Sequence, residues 1–178
     1  MKSKLVLLWG LFLAGAAASA GTIIALDLKA LTQRAEVIVL GRCLESSVRW
    51  NAERTRIYTD WTVAVDQAIK GAPVGKVIVR QLGGELEGKG MIVAGVNRLT
   101  LGEEVVLFLG PAEDSARRIV GLSQGRFTVQ TDPQTGRKQV RTGSVPSGAL
   151  ASQSSASAAP IPLDQFLAQV RAMAEIKP

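Results

Sequence analysis

Ile57-Tyr58-Thr59-Asp60-Trp61-Thr62-Val63-Ala64-Val65-Asp66 is the stretch on which the fold turns. Ile57, Thr59, Trp61, Val63 and Val65 alternate with Tyr58, Asp60, Thr62, Ala64 and Asp66. Successive side chains of an extended strand point to opposite faces, so this period of two predicts a half-buried β-strand. One row enters a core and the other meets solvent or a partner. Lys70-Gly71-Ala72-Pro73 closes the segment with breakers.

Upstream, residues 46–55 read as a polar turn. Before them Glu36 to Leu44 (EVIVLGRCL) is too dense in Val, Ile and Leu for a solvated strand, and Leu26 to Ala35 reads as a short helix capped by Asp27. Downstream, strands are expected at Val77 to Leu82, Met91 to Val96, Glu104 to Leu109 (stopped by Gly110-Pro111), Arg118 to Leu122, Arg126 to Thr131 and Arg137 to Thr142. Asp132-Pro133-Gln134-Thr135-Gly136 supplies a hairpin turn between the last two, Pro fixing φ and Gly allowing a positive one. Many short strands at near-regular spacing predict a mainly β barrel or sandwich spanning 21–142.

The two ends differ in composition. Lys2 and Lys4, the apolar run Leu5 to Ala17 and the small residues Ala18-Ser19-Ala20 have the form of a signal peptide, 1–20, cleaved to leave Gly21 first. The run is shorter than the roughly 20 residues that a membrane span needs, so the expectation is an exported protein, periplasmic or extracellular, that does not span the membrane once cut. Residues 143–162, rich in Ser, Ala, Gly and Pro, read as a flexible linker. Leu163, Phe166, Leu167, Val170 and Met173 then recur at helical spacing, predicting a C-terminal helix within 163–178 that docks on the barrel.

The chain has no histidine and a single cysteine. That removes Ser-His-Asp and Cys-His catalysis and the usual zinc sites. Cys43 cannot form an internal disulfide; in an oxidising compartment it is buried or pairs between chains. Ser144 and Ser147 have no lysine placed near them by spacing, and Glu85 with Glu87 and Glu103 with Glu104 lie in turns rather than in a tuned acid–base pair. The expectation is therefore no enzyme and no cofactor.

Candidate contact residues are few. Gly83-Gly84-Glu85-Leu86-Glu87-Gly88-Lys89-Gly90 opens like a phosphate-binding loop, but Gly90 stands where Ser or Thr would hold magnesium and the two glutamates repel phosphate. It reads as a flexible inter-strand loop with no nucleotide, Gly83 and Gly84 marking a contact surface. Trp50, in a polar stretch, is either a contact residue or packed over one end of the barrel. Arg126, Arg137, Lys138 and Arg141 form a basic hairpin, with Arg117 and Arg118 nearby. Such a face attracts an anionic polymer or acidic partner, or simply guards a strand edge. With aromatics at 4% there is no stacking platform for nucleic acid.

Four blocks carry a family likeness: Arg34-Ala35-Glu36-Val37-Ile38-Val39-Leu40-Gly41, then Ala68-Ile69-Lys70-Gly71, Gly83-Gly84, and Gly102-Glu103-Glu104-Val105-Val106-Leu107-Phe108-Leu109. This order resembles the netrin-like superfamily, which includes the tissue inhibitors of metalloproteinases, and resembles still more its small secreted bacterial members. The resemblance implies a small OB-type Greek-key barrel with helices at its side. Those inhibitors chelate the protease zinc through an N-terminal cysteine; here Gly21-Thr22 stands at that end, leaving only the Gly21 amine to reach a metal. The functional expectation is an exported non-catalytic binding module, with a metalloprotease inhibitor or companion and an envelope protein binding anionic polymer as alternatives.

Overall fold

The computed structural model describes residues 26–142 and 160–175. The segment read as a signal peptide and Gly21 lie outside the described residues, as does most of the segment read as a linker.

Helix α1 (Leu28–Arg34) begins where Asp27 accepts a hydrogen bond from the Ala30 amide at 2.7 Å, satisfying one of the free donors of the first turn. Ten strands are described: β1 (Val37–Trp50), β2 (Ile57–Lys70), β3 (Lys76–Leu82), β4 (Gly84–Leu86), β5 (Lys89–Met91), β6 (Glu104–Glu113), β7 (Ala116–Ile119), β8 (Arg126–Thr131), β9 (Lys138–Thr142) and β10 (Ile161–Pro162). Helix α2 (Leu163–Glu175) follows. The protein is mainly β, and all strands but β4 and β5 belong to one large mixed sheet.

Strand β1 pairs antiparallel with β2 along one edge and with β6 along the other. β2 pairs with β3, β3 runs parallel to β7, and β7 pairs with β6. The hydrogen-bonded neighbours thus run β1-β2-β3-β7-β6 and return to β1. β8, β9 and β10 extend the sheet from β6.

The continuous apolar runs now have a physical reason. Both faces of β1 and β6 are covered, so every residue from Val37 to Gly41 and from Val105 to Gly110 is buried. Alternate residues feed two cores. Ile38, Leu40, Val106 and Phe108 join Phe127, Val129 and Val140 with Leu31 of α1 and Phe166, Leu167 and Val170 of α2. Val37, Val39, Cys43, Val105, Leu107 and Leu109 join Trp61, Val63, Val77 and Val79. β2 has one covered face, which is why it alternates.

Several local expectations are corrected. Residues 46–50 continue β1 because Ser46 to Trp50 stay in register with Trp61 to Ile57; backbone pairing overrides their polarity. Met91 to Val96 is not a strand: β5 ends at Met91 and Ile92 is fully exposed. Gly110-Pro111 does not stop β6, since a register shift between Leu109 and Ala112 accommodates the proline without a ladder donor. The strand expected at Arg118 to Leu122 is Ala116–Ile119. Gly83 to Gly90 is an ordered hairpin, β4 against β5, rather than a flexible loop. The end of the presumed linker, Ile161–Pro162, pairs with Val140 and Gln139 of β9.

Candidate functional site

The residues singled out from sequence fall into two separate groups. Trp50 is half-buried at the end of β1, where its indole Nε1 donates to Glu87 Oε2 at 3.2 Å. Arg54, whose Nη2 reaches the same oxygen at 2.5 Å, and Lys89 each place their cation 5.6 Å from the ring centroid. Trp50 therefore ties the β1–β2 hairpin to the β4–β5 hairpin. Gly83 and Gly84 are buried and structural: a Cβ on Gly84 would lie 2.9 Å from Thr59 Oγ1 and from Val48 Cγ1.

The basic hairpin contains fewer free cations than its composition suggests. Arg126 is partly buried, its side chain 11% exposed and its Nη2 bonded to Glu103 Oε1 at 2.5 Å. Thr128 Oγ1 donates to the same oxygen and the Thr100 amide to Glu103 Oε2, so this ion pair is built into the fold. Lys138 pairs with Glu104 at 2.8 Å. Arg137 and Arg141 are exposed and make no ion pair among the described residues. Arg117 pairs with Glu36 and Arg118 with Glu113.

A different place gathers more chemistry. Tyr58, the only tyrosine, lies on the outward row of β2. The guanidinium carbons of Arg49, Arg80 and Arg118 stand 6.0, 5.9 and 5.9 Å from its ring centroid. Register accounts for the meeting: Arg49 on β1 faces Tyr58, while Leu82 faces Tyr58 and Arg80 faces Asp60 on β3. Arg118 arrives on β7, parallel to β3. Arg56 comes from the β1–β2 loop, whose shape Asn51 sets: its Oδ1 accepts the amides of Thr55 and Arg56 at 2.8 and 2.7 Å.

Beside Tyr58 opens a cavity of about 150 Å³ lined by Arg56, Arg80 and Arg118 and by Leu82, Val96, Ile119 and Leu122. It adjoins a wider polar groove that also carries Glu53, Glu113 and Asp114. Asp60 is the anchor. Burial works to raise its pKa, but hydrogen bonds from Arg80 (2.8 and 3.0 Å) and Arg49 (3.0 Å) outweigh that and hold it below the usual carboxylate range. The same bond raises Arg80. Arg80 is thereby fixed in direction, whereas Arg56 makes no ion pair among the described residues. The Arg118–Glu113 pair is solvent-exposed at both ends, where such pairs are worth about 0–1 kcal/mol.

Sequence reasoning passed over this site. Its one local signal was that Tyr58 and Asp60 stand on the solvent row of the alternating strand; the arginines come from positions that only register brings together. Cys43 is buried, with its pKa pushed up to about 12 by that burial and by the charge of Glu103, against the pull of Arg126. Among the described residues no three Cys, Asp or Glu side chains come together to hold a metal ion, and no helix is long and apolar enough to cross a membrane. No family model matches the chain, and no curated protein matches it.

Proposed function

We propose that this protein is an exported, non-catalytic binding module on an OB-type, netrin-like Greek-key barrel, with the groove beside Tyr58 as its ligand face. The return of the pairing circuit to β1, with β3 parallel to β7, supports the barrel, because five strands then close without a free edge. Barrels of this type bind ligands on the face of their second and third strands and at the loops beside it. Here those positions hold Tyr58, Arg80, the loop carrying Arg56 and the turn carrying Asp114. Fold alone does not license a function. The observation that carries the reading is the three guanidinium groups within 6.0 Å of the Tyr58 ring centroid, all three lining the groove beside it. The absence of histidine, the suppressed acidity of Cys43 and the commitment of Glu103 to Arg126 support the non-catalytic part. Ala18-Ser19-Ala20 supports export.

The test is capture on the immobilised protein from culture medium and envelope extract, with an Arg56→Gln/Tyr58→Ala double variant beside it. Wild type should retain a species that the variant does not; identical retention would remove the reading. Protein recovered outside the cytoplasm should begin at Gly21.

A second reading, retention on an anionic envelope polymer, has Arg137 and Arg141 behind it, both exposed and unpaired among the described residues. Arg137→Ala/Arg141→Ala should then elute from a dextran sulfate column at lower salt than wild type, and coincident elution would discard it.

A further inference from the structure

Resting on that binding reading, we infer that the cavity beside Tyr58 takes a carboxylate joined to an apolar group of about one ring, the apolar part against Leu82, Ile119 and Leu122 and the carboxylate on Arg56 and Arg118. The walls set the first half of this chemistry. Leu82, Val96, Ile119 and Leu122 line the cavity along with Tyr58, and at about 150 Å³ the space matches a single aromatic ring. Leu122 is 46% exposed and held at φ +62°, a left-handed conformation that is strained for a residue with a Cβ. An apolar side chain kept half in water on a strained backbone gains from an apolar ligand that covers it.

Charge sets the second half. Arg80 is already held by Asp60, so it shapes the rim rather than meeting a ligand. Arg56 has its guanidinium free of ion pairs among the described residues, and Arg118 gives up only a solvent-exposed contact with Glu113. A planar carboxylate accepts two parallel N–H bonds from one guanidinium, which suits it to this rim. Long polyanions are disfavoured, since beyond the cavity they meet Glu53, Glu113 and the 90% exposed Asp114. A small monoanion avoids them.

The same chemistry is offered by a free aromatic acid or by the C-terminal residue of a peptide. The experiment is an NMR titration of the purified protein with phenylacetate, its neutral amide phenylacetamide, and acetyl-Ala-Ala-Phe with a free C-terminus. An acid should shift the resonances of Tyr58, Leu82, Ile119 and Leu122. Phenylacetamide should bind at least about tenfold more weakly, the loss expected when a charge-assisted hydrogen bond is removed. Arg56→Gln, at an exposed position, should lose a similar factor for the acids and none for the amide. Leu122→Gly, which relieves the positive φ while deleting the wall, should weaken all binding without lowering the melting temperature. Tighter binding of the peptide would assign a chain terminus as the source, and tighter binding of phenylacetate a free acid. The inference is overturned if neither acid shifts these residues at millimolar concentration, or if the amide binds as well as the acid. Should capture from extract still depend on Arg56 and Tyr58 in that case, the ligand class is wrong and the binding face stands.

Discussion

Cys43 shows how a single buried atom writes itself into the pH dependence of the whole molecule. Its thiol is 1% exposed, and burial first, then Glu103, push its pKa from an ordinary 9.0 up to about 12. The native state therefore keeps a proton that the unfolded chain gives up. Stability from this group is fully present below pH 9 and is lost as pH rises from there toward 12, at about 1.4 kcal/mol per pH unit. Cys43→Ala should remove that slope, so urea midpoints of wild type and variant should converge above pH 9. Parallel curves would show that the thiol is not protected in the native state. Burial of this residue was legible, because Cys43 sits in EVIVLGRCL. The role of Arg126 was not: it looked like one more surface cation, and its partner Glu103 lies in a turn that only folding brings beneath it.

At the scale of the element, β1 and β2 show how far pattern carries. Alternation marked β2 correctly, and apolar density marked the first half of β1. The second half of β1 was missed because its side chains are polar while its backbone is fully paired to β2. Side-chain periodicity reports burial, and a hairpin arm that reaches into solvent has little burial to report. At the register shift between Leu40 and Gly41, a Cβ on Gly41 would run into the Ala64 carbonyl oxygen. Backbone rather than a flexible side chain is in the way. Gly41→Ala should therefore cost about 3 kcal/mol, at the upper end for overpacked sites, read as a shift in the urea midpoint. A loss below a few tenths would mean that β1 and β2 are not so closely apposed.

Over the whole molecule, the two-sided burial of β1 and β6 divides the interior in two. One cluster lies among β1, β2, β3, β6 and β7; the other lies between the sheet and the helices. The second depends on α2, which returns after the segment 143–159 to place Phe166 4.8 Å from Phe127, itself 5.4 Å from Phe108. Phe166→Ala should destabilise the protein by about 3–5 kcal/mol, the range for a buried aromatic truncated to Ala. Its thermal unfolding should remain a single transition if both clusters share the strands β1 and β6 in one cooperative unit. Two resolved transitions would show that the helix-side core melts by itself.

Local chemistry along the chain was enough to determine a mainly β protein, the alternating strand, the capped first helix, the apolar stripe of the last helix and the lack of histidine chemistry. These follow from period, composition and short-range hydrogen bonding, each of which lies within a few neighbouring residues. The tertiary structure alone decided that Tyr58 would gather Arg49, Arg80 and Arg118, and that Arg126 would be paired with Glu103. Those meetings depend on strand register and on the parallel placement of β7 beside β3, which join residues dozens of positions apart. An arginine's own sequence neighbourhood carries no record of which strand lies beside it.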